Sequence, residues 1–76
     1  MTKTTFYSQL AEILDTDASN LHPSTDLKSL DWSSLAVVSF IAFANENFDV
    51  ILEPRKLATC STVGDLMFLL DGKIAA

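Results

Sequence analysis

From Trp32 to Asn45 the chain carries no charged residue. Within that stretch and just beyond it, Val37, Phe40, Ile41, Ala44 and Phe48 recur at i, i+3, i+4, i+7 and i+11. That is the spacing of one helix face, and it predicts a core stripe. Leu35, Val38 and Ala42 form a second apolar strip on another face. A helix over 34–47 that is apolar nearly all round is either buried or shows one face to a partner. Ser33 is a good N-cap, and Trp32 before it can pack on Val37 as a hydrophobic staple. The apolar run from Leu35 to Ala44, interrupted by Ser39, is about half the ~20 residues that span a bilayer, so no membrane span is expected.

The rest of the chain reads as shorter helices around this one. Phe6, Leu10, Ile13 and Leu14 share a helix face, with Thr4 or Thr5 as its cap and a fade at Asp15-Thr16-Asp17. A long connection follows, from about Thr16 to Trp32, rich in the turn formers Asn20, His22-Pro23-Ser24 and Asp26. Leu21, Leu27 and Leu30 punctuate it, which predicts that it packs back onto the core. Glu53-Pro54 opens a short third helix with proline in its first turn, ending near Cys60. Thr62-Val63-Gly64-Asp65 resembles a capping box ahead of Val63, Leu66, Met67, Leu69 and Leu70, and Gly72 closes that helix. The expected fold is all-α: a small four-helix bundle, three longer helices and one short, as one domain over 1–76. Only two glycines and two prolines, with 49% hydrophobic residues, favour helices over a turn-rich β fold or disorder.

Composition removes several function classes. The formal charge of −5 repels phosphate backbones, so nucleic acid is not an expected partner. The same charge suits partners with basic docking patches. Cys60 stands alone, which excludes an internal disulfide, and the N-terminus lacks the apolar core of a signal peptide. Both fit a cytoplasmic location. His22 is the only histidine and sits in a loop beside a proline, where it reads as solvated. There is no CxxC, no HxxxH, no glycine-rich phosphate loop and no obvious carboxylate pair. An enzyme is therefore not expected. Cys60 reads as a small core residue.

The informative segment is Leu30-Asp31-Trp32-Ser33-Ser34-Leu35, which closes the long loop and opens the apolar helix. A serine in the first helical turn lies beside free backbone N–H groups and the positive end of the helix dipole. An anion esterified there is favoured by both.

Ser33-Ser34-Leu35 resembles the Asp-Ser-Leu motif of the acyl carrier protein family, with Ser34 at the place of the modified serine. Phe48-Asp49-Val50 is similar to the end of that family's second helix. Ile51 to Pro54 is similar to the lead-in to its third, and Thr62 to Leu66 to the start of its fourth. The resemblance covers nearly the whole chain. It implies 4'-phosphopantetheine on Ser34, an acyl group held as a thioester, and service to fatty-acid, lipid or polyketide-type biosynthesis. It also implies a phosphopantetheinyl transferase and acyl-transferring or acyl-activating enzymes as partners of a monomeric carrier. The expected partner surface is Trp32, Leu35, Val38, Ala42 and Glu46. For Val38, completing the core is the better reading, and for Trp32 the staple competes equally with contact to the arm or a partner. Leu57, Val63 and Ile41 are core residues that could line an acyl pocket.

Two departures from the family pattern stand out. The motif's Asp is Ser33, with Asp31 where glycine is usual. The positions that usually carry acids on the second helix are Ala36, Ser39 and Asn45, leaving Glu46. Docking through this helix should then be more apolar and less salt-sensitive, as in a specialised carrier. The alternative is an unmodified interaction module of the same fold that uses the apolar face of helix 2.

Overall fold

The structure is a computed structural model, and it describes residues 1–70 and 74. Four helices appear in the expected order: α1 (Lys3–Leu14), α2 (Ser34–Phe48), α3 (Pro54–Ala58) and α4 (Val63–Leu69). The described residues form a mostly helical bundle of acyl-carrier type, with one isolated β-bridge, Asp26 to Thr62, and no longer strand. The expected helix stop at Gly72 lies outside the described residues.

α1 begins earlier than its threonines suggested. Thr2, not Thr4 or Thr5, is the cap, and its hydroxyl accepts the Thr5 N–H at 3.2 Å. Lys3 to Thr5 therefore belong to the first turn. The helix ends where Asp15 takes the left-handed conformation (φ 53°). The Thr16 N–H then reaches back to the Ala11 carbonyl at 2.9 Å, closing the last turn in a Schellman pattern. Phe6, Leu10, Ala11 and Leu14 are buried, while Ile13 is half-buried.

α2 turns inward most of the face its periodicity favoured, with Phe40, Ala44 and Phe48 buried as expected, but it is rotated enough to add Ala36 and Phe43. Ala36, Phe40, Phe43, Ala44 and Phe48 are buried, and Val37 and Ile41 are only half-buried. Phe40 sits edge-on to Phe6 at 6.4 Å, and Phe43 packs against Phe6, Phe40 and Phe48 at 6.1, 5.9 and 5.6 Å between centroids. These aromatic contacts each add ~0.5–1.5 kcal/mol beyond area burial. They set the rotation of the helix, since turning Val37 inward would pull Phe43 out. Val38, expected to complete the core, is 61% exposed for this reason.

The long connection is wound through two 3₁₀ turns, Ala18–Asn20 and Leu27–Ser29. Leu21 and Leu27 are buried and Leu30 is half-buried, so the loop does pack on the core. Its path is tied to the start of α4 by main-chain bonds. Leu27 N–H donates to the Ser61 carbonyl at 2.8 Å, Val63 N–H to Thr25 at 3.0 Å, and Gly64 N–H to Pro23 at 2.8 Å. The first turn of α4 thus finds acceptors for donors that a helix start leaves free. Thr62 and Asp65 complete it with the expected capping box.

Candidate functional site

The site is built where the loop delivers the chain to α2. Asp26 opens the last loop turn: its carboxylate accepts the Lys28 N–H at 2.9 Å, and its carbonyl accepts the Ser29 hydroxyl at 2.6 Å. Leu30 N–H then bonds to the Leu27 carbonyl and Trp32 N–H to the Leu30 carbonyl, at 3.1 and 2.9 Å. Buried Leu27 anchors this winding segment. Trp32 is half-buried with its ring edge-on to Phe40, 6.0 Å between centroids. Ser33 is extended (φ −90°, ψ 174°), and its hydroxyl caps α2 by accepting the Ala36 N–H at 3.4 Å.

Ser34 is the first residue of α2 and is exposed. Among the described residues its hydroxyl has no hydrogen-bond partner, and neither do the backbone N–H groups of Ser34 and Leu35. A nucleophilic oxygen thus lies free beside two unshared donors, at the end of a helix that carries roughly +0.5 charge. A phosphodiester on that oxygen would meet donors and positive potential together.

Along α2 from this point, Leu35, Val38, Ala42 and Glu46 lie at i, i+3, i+7 and i+11 on one side, and all four are exposed. Leu35 is 76% exposed and Val38 61%, so the strip is an exposed apolar patch. Four of the five expected partner residues therefore share one strip. Trp32, the fifth, is held against the core.

A family model described as "Phosphopantetheine attachment site" matches residues 5–68. The chain belongs to that family. No curated protein matches it. The match runs from the first turn of α1 into α4, so it takes in part or all of each of the four helices. The prosthetic group of this family is 4'-phosphopantetheine, and the chain is a phosphopantetheine carrier protein. Carrier domains work with phosphopantetheinyl transferases and acyl-handling enzymes.

The geometry of this carrier fits the group at Ser34 better than at Ser33. The Ser33 oxygen is already the helix cap, whereas the Ser34 oxygen is unengaged and open to solvent. The loss of the family's Asp at position 33 leaves the helix start intact, because serine supplies the cap oxygen instead. Ala36, one of the positions where the family places an acid, is buried, so it contributes packing and not docking.

Other residues named from the sequence fall outside this site. His22 is exposed on the loop, as its neighbours suggested. Leu57 and Val63 are fully buried, and Ile41 is half-buried. Cys60 is half-buried against the core, with its thiol 3.5 Å from the Lys56 carbonyl. Burial, and then the Asp65 carboxylate, push its pKa above the ordinary thiol range, which keeps it a poor nucleophile. Two exposed apolar residues had no sequence signal: Ile51, 84% exposed between α2 and α3, and Phe68, 83% exposed on α4. Each lies within a run of apolar neighbours, although the apolar set named for α4 leaves Phe68 out.

Proposed function

We propose that Ser34 carries the phosphopantetheine arm and that the chain presents an acyl thioester to enzymes of fatty-acid, lipid or polyketide-type biosynthesis. The free, exposed Ser34 hydroxyl at the start of α2, beside a neighbour already used as the cap, carries this reading. A transferase would join the Ser34 Oγ to the phosphorus of the pantetheine phosphate of coenzyme A. The bond from that phosphorus to the nucleotide breaks, and the transferase takes the hydroxyl proton. When bound, the arm supplies a terminal thiol that holds the acyl group as a thioester. The chain itself orients the attachment point and offers a docking strip; it catalyses no reaction. Tethering raises the cargo's effective concentration at each enzyme visited.

The strip of Leu35, Val38 and Ala42 supports docking that is mostly apolar, with Glu46 as its charged end. Binding of acyl-handling partners through this strip should then weaken only mildly as salt is added. A cytoplasmic monomer fits the lone half-buried cysteine and the acidic surface. Among the described residues no helix is long and apolar enough to cross a membrane.

Intact-protein mass spectrometry after incubation with coenzyme A and a broad-specificity phosphopantetheinyl transferase tests the proposal. One arm's mass should appear on the parent chain and none on Ser34→Ala. A Ser34→Ala variant that still gains the arm would move the site elsewhere. No gain on the parent with several transferases would favour an unmodified interaction module.

A further inference from the structure

A shallow groove runs between α1 and α2 on the side of the exposed strip. Ile13 and Ala42 supply apolar surface and the edge of Phe43 forms part of its floor, while Glu12 from α1 and Glu46 from α2 supply its carboxylates. Among the described residues, no lysine or arginine lines it. Resting on the reading that Ser34 is the attachment site, we infer that the transferase which loads Ser34 docks across α2 onto α1. It would seat an apolar side chain flanked by Lys or Arg in this groove.

Three observations lead there. The strip of Leu35, Ala42 and Glu46 joins the attachment end of α2 directly to the groove, since the last two line it. From Ser34 to Glu46 the helix rises about 18 Å. A standard interface covers roughly 800 Å² per partner, a patch about 30 Å across. An enzyme centred near Ser34 therefore reaches the groove without extra surface. The direction of spread follows from charge. Coenzyme A carries several phosphates, so an enzyme that binds it surrounds its active-site mouth with cations. α3, which also packs on α2, shows exposed Arg55 and Lys56 against the single carboxylate of Glu53 and would repel such a mouth. The α1 side, with Glu12 and Glu46, attracts it. Glu12 is thus assigned a docking role that the α2 strip alone does not give it.

The test is steady-state arm transfer onto the full chain, with coenzyme A and a broad-specificity phosphopantetheinyl transferase. The variants are Glu12→Lys, the double variant Glu12→Lys/Glu46→Lys, and Arg55→Glu. Circular dichroism confirms that each is folded, and all three positions are exposed. The double variant should raise KM for the carrier about tenfold with kcat unchanged, Glu12→Lys alone about threefold, and Arg55→Glu should leave KM the same or lower it. Unchanged KM in the glutamate variants, or an equal loss in Arg55→Glu, would overturn the docking inference while leaving Ser34 as the site. Failure of the parent chain to accept the arm would remove both readings.

Discussion

Replacing Gly64 with alanine probes how firmly the long loop is held against α4. A Cβ at this position would stand 2.9 Å from the Pro23 carbonyl oxygen and 3.5 Å from the Pro23 carbonyl carbon and Cβ. The oxygen is the same atom that accepts the Gly64 N–H at 2.8 Å, so it cannot retreat without losing that bond. Crowding of this kind costs ~1–3 kcal/mol. A weakened hydrogen bond adds ~0.5–1.5 kcal/mol. Against this, alanine is favoured over glycine in a helix by up to ~1 kcal/mol, and less near its start. Mid-range values leave a net loss of about 2 kcal/mol, a large share of the ~3–5 kcal/mol available to a domain of this size. Thermal melting followed by circular dichroism should show Tm lower by roughly 8–16 °C, at about 4–8 °C per kcal/mol for this length. An unchanged or raised Tm would mean that Pro23 yields freely, and that the main-chain tie between loop and α4 does not hold the loop in place.

Three further outcomes can be checked on the same chain. Ser33→Ala should lower stability by ~0.5–2 kcal/mol in urea titration through loss of the α2 cap, while Ser33→Asp should keep it and add a charge favoured by the helix start. Asp49→Gly should raise stability by about 0.5–1 kcal/mol, because glycine accepts the φ of 56° at lower cost and the change removes a negative charge from the C-terminal end of α2. Asp65 has its carboxyl held below the usual range by the backbone N–H groups of Ser61 and then Thr62. A lowered folded pKa gives stability that is present above the ordinary carboxylate pKa of about 4 and is lost as pH falls through the folded value. Urea midpoints measured from pH 5 down to 3 should therefore fall less in Asp65→Asn than in the parent.

Much of the bundle was legible because its signals are local. Ser33 and the Thr62–Asp65 pair cap helices through their own side chains, and Leu21 and Leu27 stand out among polar loop residues. The inward face of α2 was legible only in part: Phe40, Ala44 and Phe48 followed from periodicity, but the helix's exact rotation did not. When a helix is apolar nearly all round, its periodicity carries little information, and the choice passes to aromatic partners such as Phe6 that are distant in sequence. That is why Phe43 and Ala36 were missed and Val38 was placed inside. The start of α1 was ambiguous because Thr2, Thr4 and Thr5 can all cap. The tie between loop and α4 uses main-chain atoms, which have no side-chain signature; only Gly64, small where the chains approach, marks it. For the candidate site, Ser34 was marked by its resemblance to the carrier motif at a helix start and the strip beside it by spacing, whereas Glu12 needed the packing of α1 on α2.

Because main-chain hydrogen bonds join Thr25 and Leu27 to Ser61 and Val63, and Leu21 and Leu27 anchor the loop from inside, its course is largely independent of the side chains it displays outward. His22 and Ser24 project outward and could drift through many replacements while the chain still arrived at Ser34 along the same track. Such a segment can diverge in lettering among descendants and keep its shape. A surface of that kind lets a carrier change the company it keeps without relocating the point where its cargo hangs.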